Sequence, residues 1–401
     1  MRRSAPALAA GLLALLVLVG CGAAPVGPST DDPTVILSSD RLGVDWHVVD
    51  GAVVPTDDFS TTTASTGDTL WMVGDDDLML HATENGVDWR QIDLREHGLP
   101  AEAFLVSRSA NCPTWAWKTG GGLAAFYGIH NNGTHPAGIA TPMWLVEIHG
   151  DDVDVRAAVD IGLEDMPAPQ GGFNFRTDCV AGIVDHGGGR MIVGLGQWWQ
   201  PYKTGASHGY VAFEDANGRW SVHSEYGAPF LGGSDRVTIT DVFTLGDRIV
   251  VLGGVSGFER YAWSSVDGRA WERYDFPGFD EVSSDIWATT GGDRIVMAAA
   301  VAGRIDVWTT TDGVTWSSES LLTGADDPRL ELLAHGATGY TLIVSDDVDH
   351  IWLSADGATW TPEDPGDGFR SVPGAPTEHA GGLVGFLADS VRVSGLDAWL
   401  R

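Results

Sequence analysis

Seven short runs of this chain are almost continuously apolar: 69–73, 123–127, 191–195, 249–252, 295–298, 340–344 and 383–387. Runs of four or five such residues without polar alternation predict strands buried on both faces. A second pattern follows them. Trp263-Ser264-Ser265-Val266-Asp267-Gly268-Arg269-Ala270-Trp271 aligns without gaps with the segments 308–316 and 352–360, giving W-x-[ST]-x-D-G-x-[AT]-W. Thr83 to Trp89 is a further copy with Asn85-Gly86 in the turn, and Asp40 to Trp46 and Asn217 to Trp220 are looser ones. Asp-Gly and Asn-Gly tolerate positive φ and are strong short-range signals for a tight hairpin. Tryptophans at both ends suit half-buried strands.

The closing tryptophan recurs at 46, 89, 220, 271, 316 and 360, and the last three steps are 51, 45 and 44 residues. This period suits a four-stranded propeller blade. The apolar runs become second strands, and the Asp-Gly turns join strands three and four. One more blade fits between Trp89 and Trp220, with Asp151 to Val155 in the turn and fourth-strand position. Both patterns then count seven. The chain enters partway through one blade, near 34–50, and leaves after the second or third strand of another, near 383–401. Joining the two ends would complete both and remove an open edge. The expectation is an all-β, seven-bladed β-propeller of four-stranded antiparallel blades over residues 34–401, its ring closed by the N- and C-terminal strands. Residues that recur in every good copy hold blades together, whereas an active site breaks the symmetry. Asp267, Trp271, Asp312, Trp316, Asp356 and Trp360 therefore read as structural.

The hairpin resembles the Asp-box repeat of sialidase-like (BNR-repeat) propellers, in a form one residue shorter between Asp and Gly. The resemblance implies architecture. Asp-box propellers include enzymes, lectin-like binders and assembly factors, so function must come from the site itself.

The N-terminus has a short basic start, Met1-Arg2-Arg3, and an apolar stretch from Ala7 to Val19. Its shortness and small-residue end read as a signal peptide over 1–20 and not as a membrane span. Leu18-Val19-Gly20-Cys21 resembles the lipobox of bacterial lipoproteins, which implies acylation of the Cys21 sulfur and cleavage before it. Residues 21–33 are small, polar and Pro-containing, as a flexible tether would be. The expected location is the extracytoplasmic face of the cell membrane, with the membrane a partner through the lipid anchor.

Charge narrows the partners. The net charge is −32, and Lys118 and Lys203 are the only lysines. Nucleic acid needs Lys and Arg to neutralise its phosphates and is excluded. Electrostatic docking on an anionic bilayer is disfavoured as well. The acidic excess serves solubility. Asp75, Asp76 and Asp77, or Asp346, Asp347 and Asp349, could hold Ca²⁺ weakly, but neither run has the spacing of a dedicated calcium loop. No cofactor and no metal site is expected. Cys112 and Cys179, in an exported chain, are expected to pair as a disulfide.

Two connections between second and third strands are long and lie in the third and fourth blades, at the end opposite the Asp-Gly turns. One runs from Ile129 to Pro142, the other from Gln197 to His208. Rigid scaffolds concentrate binding residues on such segments. Trp198, Trp199 and Tyr202 offer apolar rings with polar edges, and His130, Asn131, His135 and His208 offer hydrogen-bond groups. This mixture suits a protein or glycan ligand of the cell envelope, bound by a monomer. A sialidase-like or other glycoside hydrolase is the alternative. No catalytic residue stands out: the Arg-Ile-Pro signature usual in sialidases is absent, Arg41, Arg176, Arg236 and Arg304 follow no pattern, and no nucleophile elbow or phosphate loop is present.

Overall fold

The computed structural model describes residues 35–39, 46–48, 63–66, 69–73, 78–84, 88–105, 116–119, 122–129, 143–163, 174–187, 189–199, 207–223, 237–255, 259–276, 286–301, 303–324, 328–336, 338–346, 349–363, 377–379 and 382–387. Among them the regular structure is all-β apart from one 3₁₀ turn, Leu94–His97. No helix among these residues is long and apolar enough to cross a membrane.

The strands fall into antiparallel sheets, which we number in chain order. Sheet 1 begins with β1 (Val35–Ser39) and β2 (Trp46–Val48). Sheet 2 holds β3 (Thr63–Thr66), β4 (Thr69–Val73), β5 (Met79–Thr83) and β6 (Arg90–Asp93). Sheet 3 holds β7 (Ala103–Leu105), β8 (Ala116–Thr119), β9 (Gly122–Ile129), β10 (Met143–His149) and β11 (Asp152–Ala157). Sheet 4 holds β12 (Asn174–His186), β13 (Gly189–Trp199), β14 (Ser207–Glu214) and β15 (Trp220–His223). Sheet 5 holds β16 (Val237–Leu245), β17 (Arg248–Val255), β18 (Glu259–Ser265) and β19 (Glu272–Asp275). Sheet 6 holds β20 (Ile286–Gly291), β21 (Arg294–Val301), β22 (Arg304–Thr310) and β23 (Ser317–Thr323). Sheet 7 holds β24 (Arg329–Gly336), β25 (Gly339–Ser345), β26 (Asp349–Ser354) and β27 (Thr361–Glu363). The last two strands, β28 (Thr377–His379) and β29 (Gly382–Leu387), return to sheet 1, where β29 pairs with β1.

All seven apolar runs are strands. Each of β9, β13, β17 and β21 feeds two different cores. In β21, Ile295, Met297 and Ala299 enter a core shared with sheet 5, while Val296 and Ala298 enter one shared with sheet 7. The same alternation joins sheets 2 and 3, 3 and 4, and 4 and 5. Sheets 2 to 7 are therefore stacked in chain order, and a second strand has no polar face because neither side meets water.

The Asp-Gly hairpins explain the spacing of their motif. In the turn at 312–313, Asp312 Oδ1 accepts the N–H of Val314 at 2.8 Å and of Thr315 at 2.7 Å, and Thr310 Oγ1 accepts the Gly313 N–H at 2.9 Å. The turns at Asp267 and Asp356 repeat the carboxylate bonds to the N–H groups two and three residues on. At Asp312 burial pulls the carboxyl upward, but the N–H groups of Thr315 and Val314 outweigh it and bring it down to about 2. The turn keeps its charge-assisted bonds until the pH falls through that value.

The glycine of each turn has a second task. A Cβ on Gly313 (φ +69°) would lie 2.5 Å from Val250 Cγ2 of sheet 5. On Gly268 it would meet Met191 and Phe213 of sheet 4, and on Gly357 Val296 of sheet 6. Each turn thus docks on the preceding sheet. Gly246 (φ +62°), in the hairpin between β16 and β17, has nothing within 4 Å of such a Cβ. The pair separates backbone strain from packing. Gly246→Ala should cost roughly 1–2 kcal/mol, the left-handed penalty alone. Gly313→Ala should cost about 1–3 kcal/mol more, because the methyl overpacks the inter-sheet contact. Denaturant unfolding of the two variants measures the difference, and equal losses would mean that the turn does not staple the sheets.

Two expectations need correction. Sheet 3 has five strands, not four: β7 and β8 both pair with β9, β7 at Tyr127 to Ile129 and β8 at Gly122 to Ala125. An eight-residue strand offers length for two short partners end to end. The second correction concerns the connection expected from Gln197 to His208. Gln197, Trp198 and Trp199 continue β13, paired with Arg176, Phe175 and Asn174, and Ser207 and His208 already belong to β14. The main chain of this stretch is tied into a ladder, so the connection shrinks to 200–206.

Candidate functional site

The expected binding residues are only partly placed. Trp198, Trp199 and His208 stand in sheet 4 at the ends of β13 and β14 away from the Asn217-Gly218 turn. Cys179 stands in β12. His130, Asn131, His135, Tyr202, Cys112, Cys21 and Asp75 to Asp77 lie outside the described residues, as does the segment 1–33. Among the described residues no group of three or more His, Cys, Asp or Glu is arranged to hold a metal ion.

A polar constellation that the sequence reading did not single out lies between sheets 5 and 6. Cross-strand partners share a face, as do alternate residues of one strand. Thr238 pairs with Gly254 and Gly254 with Arg260; Asp241 pairs with Leu252 and Leu252 with Ala262. Leu252 and Ala262 belong to the core shared with sheet 6. Thr238, Asp241 and Arg260 therefore face sheet 6. Gly254 leaves the space over which Arg260 reaches the first strand, where its Nη1 donates to Thr238 Oγ1 at 3.3 Å. Burial lowers the Arg260 pKa.

Asp241 follows a β-bulge between Ile239 and Asp241, where the ladder skips Thr240. Bulges re-aim side chains and bend the strand that carries them. Burial raises the Asp241 carboxyl to about 8, so it is protonated at neutral pH. On the opposing sheet, Asp306 pairs with Ala299, which lies in the same inter-sheet core. Asp306 is buried and saturated: Arg304 Nε donates to it at 2.7 Å and Ser320 Oγ at 2.5 Å. The interface thus offers one neutral acid, one half-buried guanidinium and a carboxylate already neutralised. These groups lie toward the connections between second and third strands, away from the Asp-Gly turns. Chemically, they can donate hydrogen bonds to an acceptor-rich ligand, and Asp241 can give up a proton.

A second charged group lies between sheets 3 and 4, at the end where the Asp-Gly turns sit. Glu147 of β10 accepts from Arg156 of β11 and Arg190 of β13. Arg190 in turn grips Glu214 of β14 with Nε at 2.5 Å and Nη2 at 2.6 Å, and stacks over Trp220 at 5.5 Å. The Glu147 side chain is only 5% exposed, which makes this network an interior one. A cavity of about 520 Å³ opens beside it, lined by Asp185, His186, Gly187, Gly189, Arg190 and Glu214. Within the network each of Glu147, Arg156, Arg190 and Glu214 has an opposite partner, so the group holds sheets 3 and 4 together.

No family model matches this chain. No curated protein matches it either. Among solved structures it is similar to a Trypanosoma rangeli sialidase in complex with sialic acid, at 12% identity and TM-score 0.42, over 82% of this chain and 56% of that one. It is similar to streptogramin B lyase at 12% identity and TM-score 0.43, over 88% of this chain and 98% of that one. A Bombyx mori GH32 beta-fructofuranosidase is similar at 12% identity and TM-score 0.34, over 64% of this chain and 63% of that one. The chain thus spans little more than half the length of the sialidase.

Proposed function

We propose that this chain is a lipid-anchored, extracytoplasmic binding propeller of seven blades that holds a protein or glycan of the cell envelope. The observation that carries the binding role is the asymmetry of one end of the sheets. The second-to-third-strand connections are two residues in sheet 6 and three in sheets 5 and 7, but 13 in sheet 3 and seven in sheet 4. Sheets 3 and 4 share a core, so the two long connections are neighbours on a rigid base. Ring closure is supported by the pairing of β1 with β29 and by the chain-order stacking of sheets 2 to 7. The lipobox-like Leu18 to Cys21 supports the anchor, and acylation at Cys21 gives the membrane attachment. Trp198, Trp199, Tyr202, His130, Asn131, His135 and His208 supply ligand contacts, a Cys112–Cys179 disulfide steadies sheet 4 against the segment before β8, and the protein acts as a monomer.

The test is a pull-down from envelope extract with wild type and Trp198→Ala/Trp199→Ala. We expect a captured component whose recovery drops at least tenfold with the double variant while its unfolding midpoint is retained. Equal recoveries would remove the sheet 3–sheet 4 end as the binding site.

One observation favours a second reading, glycoside hydrolysis. Asp241 stays protonated near neutral pH, as a general acid must. Hydrolysis needs a second carboxylate roughly 5–10 Å away, and Asp306 on the facing sheet is already neutralised by Arg304. Binding is therefore the first reading. Turnover of chromogenic glycosides that disappears in Asp241→Asn would reverse the order.

A further inference from the structure

The turns that dock sheet on sheet are not equally made. In sheets 5, 6 and 7 the glycines at 268, 313 and 357 press on Met191, Val250 and Val296 of the preceding sheet. Sheet 3 breaks this rule on both sides. Its own turn glycine, Gly150 (φ +61°), has nothing within 4 Å of where a Cβ would stand. What meets sheet 2 there is polar: Arg90 donates to the Gly150 carbonyl at 3.0 Å and pairs with Asp151, which is 89% exposed. On the other side, the turn glycine of sheet 4, Gly218, rests at ordinary contact distance over Arg156. Arg156 belongs to the Glu147–Arg190–Glu214 network.

Two cavities lie near these groups. One of about 430 Å³ lies between sheets 2 and 3, lined by Thr83, Glu84, Asp88, Arg90, Gly150 and Asp151 among others. The other, of about 520 Å³, is lined by sheet 4 alone, with Arg190 and Glu214 of the network among its residues. Close packing transmits strain and resists opening, whereas a gap forfeits contacts on its lining. A surface ion pair such as Arg90–Asp151 contributes little. A buried network holds only while every member is in place. The apolar cores in the middle of both seams are retained, and one main-chain bond, Trp220 N–H to the Ile161 carbonyl at 2.6 Å, ties sheet 4 to the segment after β11.

We propose that sheet 3 is a separately opening unit of this fold, joined to sheets 2 and 4 at its turn end by ionic contacts in place of glycine staples, with Glu147 as the residue that keeps it closed against sheet 4. Sheets 5 to 7, stapled by their glycine turns, form the stable remainder. Local opening units are where ligand-responsive elements of a protein are found. On the binding role proposed above, sheet 3 is the sheet that yields when a ligand is taken up.

Native-state hydrogen exchange on the full chain tests this without a ligand. In wild type, amides of β9 and β10 are expected to exchange at least tenfold faster than those of β17, β21 and β25, which open only with the whole fold. Glu147→Gln destabilises the folded state against every opening, so it should speed exchange in β9, β10, β17, β21 and β25 alike. Val250→Ala, placed in the stapled seam between sheets 5 and 6, should raise exchange in β17, β21 and β25 and not in β9 or β10. Protection of β9 and β10 equal to that of β21 in wild type would overturn the proposal, as would acceleration of β9 and β10 by Val250→Ala or their failure to respond to Glu147→Gln. Because no ligand enters, a failed pull-down leaves this outcome untouched, and the reverse holds too.

Discussion

Glu147→Ala should lower the stability of the protein by roughly 3–5 kcal/mol, the loss expected when one partner of a buried ion network is removed. The Glu147 carboxylate is 5% exposed and neutralises two guanidinium groups, Arg156 and Arg190, whose side chains are 24% and 17% exposed. Deleting it leaves two cations facing each other, Arg190 with Glu214 and Arg156 with only the exposed Asp154. Burial and the nearby Arg190 already lower the Arg156 pKa, so Arg156 is the group that suffers most. Replacing the whole network by apolar residues of similar volume is a different matter and can be neutral. Glu147→Met with Arg156→Leu and Arg190→Met, Glu214 becoming Leu, should therefore recover most of what Glu147→Ala loses. Urea unfolding with both proteins decides it. A loss below about 1 kcal/mol for the single variant would show that water reaches both arginines.

Asp241→Asn should stabilise the protein, and increasingly so as the pH rises from about 4 to about 8. The folded carboxyl titrates at about 8 because burial opposes its charge, whereas the unfolded one titrates near 3.8. Between those values the folded state holds a proton that the unfolded state has released. Fewer protons on the unfolded state mean that stability falls with pH. The slope is at most about 1.4 kcal/mol per pH unit. Asparagine is neutral throughout and lacks the slope, so the two stability curves coincide below pH 4, diverge through the window and run parallel above 8. The divergence reaches several kcal/mol at most, since the strand edge leaves Asp241 some access to solvent. Parallel curves across the whole range would mean that Asp241 ionises normally in the folded protein. If the chain does hydrolyse a glycoside, the same variant loses turnover at every pH, and the stability gain and the activity loss become one trade.

Where burial was uniform, the strands could be read from the residues. A second strand packed on both sides cannot afford polar positions, and the seven apolar runs are all strands. Tight turns were legible for a similar reason, because Asp-Gly encodes a backbone conformation directly. Three features escaped. The three-residue strand β7 is too short to carry a period. Gln197-Trp198-Trp199 resembles a connection because a Gly and its own Gln follow the apolar run 191–195 and a proline comes soon after. The third is the pair of acids. Glu147 is the only charge inside Met143-Trp144-Leu145-Val146-Glu147-Ile148, and Asp241 falls where the alternation of Val237 and Ile239 calls for another apolar residue. Both are visible as interruptions. What could not be read was the partner of each: Arg190 is 43 residues from Glu147, and the face that Asp241 shares with Arg260 depends on a bulge that shifts the register by one.

The pairing of β1 with β29 has a consequence for how the molecule comes into being. Sheet 1 draws β1 and β2 from residues 35–48 and β28 and β29 from residues 377–387. A two-stranded ribbon has marginal stability alone, so β1 and β2 wait for β28 and β29. Every intervening sheet can form from contiguous chain, but this one closes a loop of more than 300 residues, a contact that is slow to make. Until it is made, β1 shows an unpaired edge to its surroundings. The vulnerable interval in the life of this protein therefore lasts until β29 has been made, and the segment exposed during it is β1.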